Sequence, residues 1–544
     1  MLRKVLLLFN TVKYLKLSQI LGRFERKFVR LEPDLSSTPG ISIPTNKFQS
    51  IVQCHPKMLN ECKFRFLNVT SNVKTAEDWN SFNQDKLWLY NLHYFDDLNS
   101  IGADQRVNWH RSLIQRWIDE NPPGFGNGWE AYPSSLRIVN WIKWSLSGNS
   151  FEQEWLDSLA VQVRYLSNNL ETHLLGNHLF SNAKALVFSG LFFKGKEADN
   201  WYQTGLNIVE KELPEQVLAD GGNFELSPMY HAIFLEDLLD LVNLHQSYNK
   251  RLATDIQSTI LSMFDWLRTM CHPDGDISFF NDAAIGIAPS LRDLLDYGKR
   301  LNITYANDGI RAFTWLKDSG YIRVQKENLV SIIDVASIGP DYIPGHGHAD
   351  ALSFELSLFG ERVIVNSGTS TYGTGTNRHK QRSTSLHSTV VVDEQNSSEV
   401  WGGFRVARRA KVFNIENIHK DDNIKISACH DGYKRLKGKP IHCREWNFSE
   451  NTLELVDKIT GMGLHKIKSI LPLHPEVLII KIQHNYVELQ ANGKKVNIEF
   501  NGSGELQVIS SKYYPEFGLS VDNKQLVYDY NGKLPFKTII KVSW

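Results

Sequence analysis

Gly345-His346-Gly347-His348-Ala349-Asp350-Ala351-Leu352-Ser353-Phe354-Glu355-Leu356-Ser357-Leu358-Phe359-Gly360 changes character halfway along. Its first half is a glycine-rich loop with two histidines one residue apart. Its second half alternates Phe354, Leu356 and Leu358 with Ser353, Glu355 and Ser357, the period of a strand with one buried face. The same pattern runs through the rest of the chain. Ile322 and Val324 alternate with polar neighbours after Gly320. Leu356–Val365 reads as a hairpin around Gly360-Glu361, and Tyr486–Phe500 as another with Asn492-Gly493 at its turn. Strands at this spacing through to Trp544 predict a large antiparallel β-sandwich.

Upstream the period is helical. Trp155, Leu159, Leu166 and Leu170 fall on one face, Phe234, Leu238 and Leu241 on a second, and Ile256, Ile260, Phe264 and Leu267 on a third. Many short helical hairpins joined by loops such as Asn121-Pro122-Pro123-Gly124 predict a helical toroid, as an (α/α) incomplete barrel, or a helical solenoid. The expected organisation is multidomain α and β. Residues 1–75 read as an N-terminal helical arm, 76–317 as the toroid and 318–544 as the β-sandwich.

Bulk chemistry narrows the function. The 544 residues exceed one ordinary core. Sixty Lys and Arg balance sixty Asp and Glu, so nothing in the overall charge favours nucleic acid. Fourteen tryptophans hint at stacking on sugar rings, although core packing is the plainer account of any one of them. Five scattered cysteines without a C-x-x-C predict neither a disulfide framework nor a cysteine zinc site.

No run of about 20 apolar residues occurs, so no transmembrane helix is expected. Residues 1–30, MLRKVLLLFNTVKYLKLSQILGRFERKFVR, read as a basic amphipathic helix without a signal-peptide cleavage site. A surface helix is the plain reading and a peripheral membrane or partner contact the sharper one. A cytoplasmic location is expected, with the periplasm as the alternative. No feature sets an oligomeric state.

Four stretches carry chemistry. In Leu175–Asn182, Asn177 and His178 stand where one helix ends and the next begins; a cap beside a core histidine is the plainer reading and a donor with a proton carrier the sharper one. In Asp220–His231, Ser227-Pro228 starts a helix that carries Tyr230 and His231 in its first turns, with Glu225 just before it. A phenol there serves as general acid or base if cations lower its pKa. His272–Asp282 holds Asp274, Asp276 and Asp282 and reads mainly as turn chemistry. In the opening stretch and its sequel, His348, Asn366 and His387 can meet on one sheet face, as a zinc site or as a hydrogen-bonded loop cluster. His346, in the same loop as His348, is read as serving a different partner. Arg378, Arg382 and Arg405 are candidates for an anionic groove, and Tyr372 lies in a loop able to reach it.

Taken in order, Asn-His, Phe-Glu-x-Ser-Pro-x-Tyr-His, Pro-Asp-Gly and Gly-His-x-His-x-Asp-x-x-Ser-Phe resemble the heparinase II/III-like polysaccharide lyases, which include heparin/heparan sulfate and alginate lyases. Leu87–Leu98 is similar to members associated with bacterial surface-polysaccharide synthesis. The resemblance implies a toroid followed by a β-sandwich, an active site between them and an acidic, uronate-containing polysaccharide as partner. It implies β-elimination, with Asn177 on the substrate carboxylate, Tyr230 as acid, His178 assisting or acting as base, and His346 beside the substrate. Glu225, His231, Tyr372, Arg378, Arg382 and Arg405 are then expected to face the sugar. His348 and His387 match zinc ligands of a structural site, and Asn366 stands where the family has an aspartate. Two other readings compete: a glycoside hydrolase using Glu225, Asp274 or Asp282, and a glycan-binding protein without catalysis.

Overall fold

The helical half is built around one helix with almost no polar face. In Gly176–Phe192 every side chain from Leu179 onward is buried. The computed structural model describes residues 2–28, 31–252, 256–306, 309, 311–420 and 422–544. Among them the α-helices are α1 (Leu2–Val12), α2 (Leu17–Phe28), α3 (Lys86–Tyr94), α4 (Val107–Glu120), α5 (Ala131–Leu146), α6 (Gln153–Ser167), α7 (Gly176–Phe192), α8 (Lys196–Gln216), α9 (Pro228–Ser247), α10 (Ile256–Thr269), α11 (Leu291–Arg300) and α12 (Thr376–Gln381).

Helices α3–α11 form the incomplete toroid, with α5, α8 and α9 against α7. Two glycines set the α7–α8 distance. A Cβ on Gly190 would lie 2.5 Å from the Tyr202 backbone nitrogen, and one on Gly205 2.7 Å from the Ala183 carbonyl oxygen. The fully buried Trp79, Trp88, Trp117, Trp141 and Trp144 fill the core, so most tryptophans in this half serve packing.

Among the described residues up to 75, helix is found only at the start. Beyond residue 30 the described chain is extended, because Pro33, Pro39, Pro44 and Pro56 cannot donate within a helix. It lies along the toroid, bonding Ser42 N–H to Phe192 O and Asn46 N–H to Ser247 O, and then forms a three-stranded sheet over Met58–Asn72.

The β half begins at Phe313. Five antiparallel strands run from Phe313 to Ile364, followed by an eight-stranded and a four-stranded sheet that share one core with them. Asn492-Gly493 does make the turn of its hairpin, with Ala491 opposite Lys494 and both turn residues at positive φ. The earlier hairpin turns one residue sooner than expected: Leu358 pairs with Glu361, and Phe359-Gly360 form the turn.

Phe354–Leu358 departs from the sequence reading in a way that matters. It is buried on both faces. Its polar side is a seam with the toroid, where His272 meets Ser357 Oγ and Glu355 Oε2, each at 2.8 Å. Arg362 grips Asp274 across the same seam at 2.7 Å. One cysteine pair is bridged, which the scattered spacing does not disclose. Cys429 and Cys443 are directly opposed in adjacent strands, Cα atoms 4.0 Å apart, and form a disulfide.

Candidate active site

Four loops meet where the toroid faces the β half, and each holds a non-glycine residue in the left-handed region: Leu175 (φ 65°), Leu226 (φ 57°), Asn281 (φ 57°) and Leu352 (φ 61°). Such backbone costs roughly 1–3 kcal/mol per residue and persists where the surroundings over-determine it. Here the loops are laced together. Asn281 donates to Leu226 O at 2.8 Å and accepts from His348 N–H at 3.1 Å. Ser227 caps α9 by accepting from Tyr230 N–H at 3.2 Å and donates to Asp282 O at 2.5 Å. Asp282 N–H donates to His346 O.

This lacing brings Tyr230, in the first turn of α9, against His346, with ring centroids 4.0 Å apart. The Tyr230 and Tyr372 hydroxyls are 2.8 Å apart. Burial, then the neighbouring Tyr372, pushes the Tyr230 phenol well above its ordinary value. No cation among the described residues lowers the phenol here, contrary to the condition for its acting as a base; it keeps its proton and is a donor.

Glu225 joins this pair to α7. Its carboxylate accepts the Asn177 backbone N–H, and Oε2 lies 3.8 Å from His346 Nε2. Burial raises its pKa, and Oε2 has no hydrogen-bond partner. His178 is half-exposed, lies tilted against Tyr132 with ring centroids 4.5 Å apart and contacts Glu171 Oε1 through Nδ1 at 3.1 Å. Asn177, His178, Glu225, Tyr230, His346 and Tyr372 therefore line one region between the two halves.

Asp282 is the residue that motif reading undervalued. It is fully buried; Oδ2 meets His346 Nδ1 at 2.9 Å and Oδ1 meets His348 Nε2 at 2.8 Å. Arg378 donates to both oxygens. Burial alone would raise this carboxyl, but Arg378 and the two histidines hold it well below the usual range. Its charge fixes the tautomers: Nδ1–H of His346 donates to Asp282, leaving Nε2 as a lone pair on the cleft side.

Three expected substrate contacts are corrected. His231 is buried, takes Asn223 N–H on Nδ1, bonds Met263 O through Nε2 and stacks on Trp266. Arg378 is consumed by Asp282 and Gly403 O. Arg382 is consumed by Gly347 O and Gly403 O. Each is buried against its internal partners and presents no surface to a groove. Arg405 remains exposed, 4.9 Å over the Trp401 ring. Next to it Phe404, not singled out in the sequence, lies 6.1 Å from His346 and 5.1 Å from Tyr372 by ring centroids.

The histidine pair below has the chemistry of a metal site. His387 Nδ1 bonds Ser383 O at 2.7 Å and so carries its proton there. His348 places its proton on Nε2, toward Asp282. Two lone pairs, His348 Nδ1 and His387 Nε2, then face each other across 3.1 Å. Burial lowers both imidazoles, His348 to about 4, which disfavours a proton bridging the gap. Two nitrogens bound at about 2.0–2.1 Å to one tetrahedral ion stand roughly 3.4 Å apart. Asp350 completes a buried His-Asp-His set whose ligand atoms lie within 4.8 Å of one another. Asn366, expected as third ligand, instead accepts from Ser388 N–H at 3.2 Å and turns its amide nitrogen to Ser353 Oγ. The donors present fit a divalent cation, with Asp282 orienting His348 from behind.

A family model described as Heparinase II/III N-terminus matches residues 102–299, and one described as Heparinase II/III-like, C-terminal matches residues 309–543. The chain belongs to the heparinase II/III family. It is 25% identical over 340 residues to a heparin-sulfate lyase of Pedobacter heparinus, covering 57% of this chain and 48% of that protein. A heparin-sulfate lyase of Bacteroides stercoris is 26% identical over 348 residues, 58% of this chain and 49% of that one. The chain thus spans about half the length of these curated relatives.

Its fold is shared with a heparinase III crystal structure, TM-score 0.68 at 17% identity over 88% of this chain and 79% of that one. It is also shared, more loosely, with a chondroitinase AC lyase, TM-score 0.51 at 10% identity over 84% and 75%. A helical half followed by an antiparallel β half is the split that residue periodicity predicted.

Proposed function

We propose that this protein is a polysaccharide lyase that cleaves a uronate-containing polysaccharide by β-elimination. The observation that carries the proposal is the pairing of a protonated phenol, Tyr230, with an imidazole, His346, whose Nε2 lone pair is set by Asp282. Elimination needs a base at C5, an acid at O4 and donors at the carboxylate, because the intermediate is enolate-like. His346 Nε2 takes the C5 proton. The C4–O4 bond breaks with its electron pair on O4, a C4=C5 double bond forms, and Tyr230 gives its proton to O4. Asn177 binds the sugar carboxylate, and His178, steadied by Glu171, assists from the toroid side. No water is consumed.

The hydrolase alternative asks for two carboxylates flanking a water. Asp274 is paired with Arg362, and Asp282 is locked between Arg378 and two histidines. Neither is available for that task.

Under the same proposal, His348, Asp350 and His387 hold a structural zinc ion, which when bound supplies charge that ties the 345–350 loop to the sheet. The Cys429–Cys443 bond supports an oxidising compartment, the periplasmic alternative.

The test is incubation with a panel of uronate polysaccharides, including capsular ones, followed by product mass and ultraviolet absorbance. Unsaturated uronate with no water gained supports the reading. Saturated products carrying solvent oxygen, or binding without cleavage, oppose it.

A further inference from the structure

The N-terminal helices present an apolar surface that no described part of the chain covers. α1 docks on the β half through Thr11, which donates to Val406 O at 3.4 Å and accepts from Trp401 Nε1 at 3.1 Å. Tyr14 packs under Arg409, ring to guanidinium 4.0 Å. α2 docks through Gln19, which donates to Tyr342 O at 3.2 Å, and through Gly22, where a Cβ would lie 2.9 Å from that of His173. Lys16 between them pairs with Glu215 of the toroid at 2.8 Å.

The opposite faces repeat one pattern. Val5, Phe9 and Val12 follow i, i+4, i+7 spacing on α1, and Leu17, Leu21 and Phe24 follow it on α2. All six are exposed, Phe9 by 65%, Leu17 by 69% and Phe24 by 59%. Lys4, Lys13 and Arg23 are exposed around them. The first thirty residues hold eight basic residues and one acidic residue, in a chain whose formal charge is zero.

We propose that this face docks on an anionic lipid bilayer. Three occupants can be weighed against the surface. A second copy would bury the stripes but press two strongly basic arms together. An acidic polysaccharide would answer the charge but leave six large apolar side chains in water. An anionic membrane surface answers both, since apolar side chains enter the headgroup–acyl boundary while Lys and Arg meet the headgroups.

Docking would also fix where the cleft sits. The hairpin gripped by α1, Val400–Trp401 paired with Arg405–Val406, carries Phe404, whose ring faces His346 and Tyr372. Membrane-bound protein therefore holds the cleft mouth one hairpin away from the lipid, where polysaccharide attached to or emerging from a membrane is found.

The test is flotation of the full-length protein with vesicles of neutral phosphatidylcholine and of phosphatidylcholine mixed with phosphatidylglycerol, together with the doubly substituted Phe9→Glu/Phe24→Glu protein. The expected result is partition into the anionic vesicles, weakened by salt and reduced about tenfold or more by the double substitution. Thermal unfolding should be unchanged, because both side chains are exposed. No partition, equal partition into neutral vesicles, or a concentration-dependent dimer that the double substitution dissolves would each overturn the proposal. The vesicle result is independent of which polysaccharide, if any, the cleft accepts.

Discussion

The His346 imidazole lies 4.0 Å, centroid to centroid, from the Tyr230 phenol, although one belongs to a loop of the β half and the other to the first turn of α9. Their meeting depends on the Asp282 backbone and side chain, which bind His346 O and Nδ1 together. The proposed chemistry therefore belongs to the seam between the two halves.

Tyr230→Phe removes only the hydroxyl that contacts Tyr372. Turnover should fall by about 10²–10⁴-fold, the usual loss on removing a general acid. The stability cost should be about 1 kcal/mol, one hydrogen bond. Steady-state kinetics and thermal unfolding of the same preparation check both.

Asp282→Asn keeps the shape and removes the charge that Arg378 and both histidines share. Leaving Arg378 buried without its counter-ion should cost about 3–5 kcal/mol. Denaturant unfolding reads this directly. Asp274→Asn, whose half-exposed side chain faces Arg362, should cost clearly less.

Glu225 offers a pH test. Burial raises its folded pKa, so between the ordinary glutamate value and that raised value the folded protein holds a proton that the unfolded chain has lost. Stability then falls as pH rises through this window. Glu225→Gln abolishes the effect and can still accept the Asn177 N–H. The substituted protein should melt higher than the parent at neutral pH and equally below the unfolded glutamate pKa; calorimetry across pH is the check.

Metal analysis of the purified protein should find one divalent ion per chain, and a chelator should lower the melting temperature. Asp350→Asn and His387→Ala should each abolish retention, while Asn366→Ala should spare it, because its amide is engaged by Ser388 and Ser353.

Cys429 and Cys443 close a loop with a sequence separation of 14, which corresponds to about 3 kcal/mol in the chain-entropy treatment. Peptide mapping without reductant should recover the linked pair. Reductant should lower the denaturation midpoint of the native protein and leave that of Cys429→Ser/Cys443→Ser unchanged.

What the sequence discloses follows from range. The Asn492-Gly493 turn and the α10 face of Ile256, Ile260, Phe264 and Leu267 depend on neighbours a few residues away, and they were legible. Glu355 and Ser357 read as solvent-facing because their partner, His272, arrives from the toroid some eighty residues earlier. Arg378 and Arg382 read as groove cations because residue type shows charge but not the buried carboxylate or carbonyls awaiting it. Asp282 looked like one acid among three for the same reason. Asp350 stood inside the quoted histidine motif, yet only folding shows that it, with His348 and His387, forms the buried carboxylate–imidazole set.

The most direct measurement uses a uronate polymer carrying deuterium at C5. Cleavage should release the label to solvent as the double bond forms, and His346→Ala should stop label loss and cleavage together. Cleaved product that keeps its C5 deuterium would contradict β-elimination.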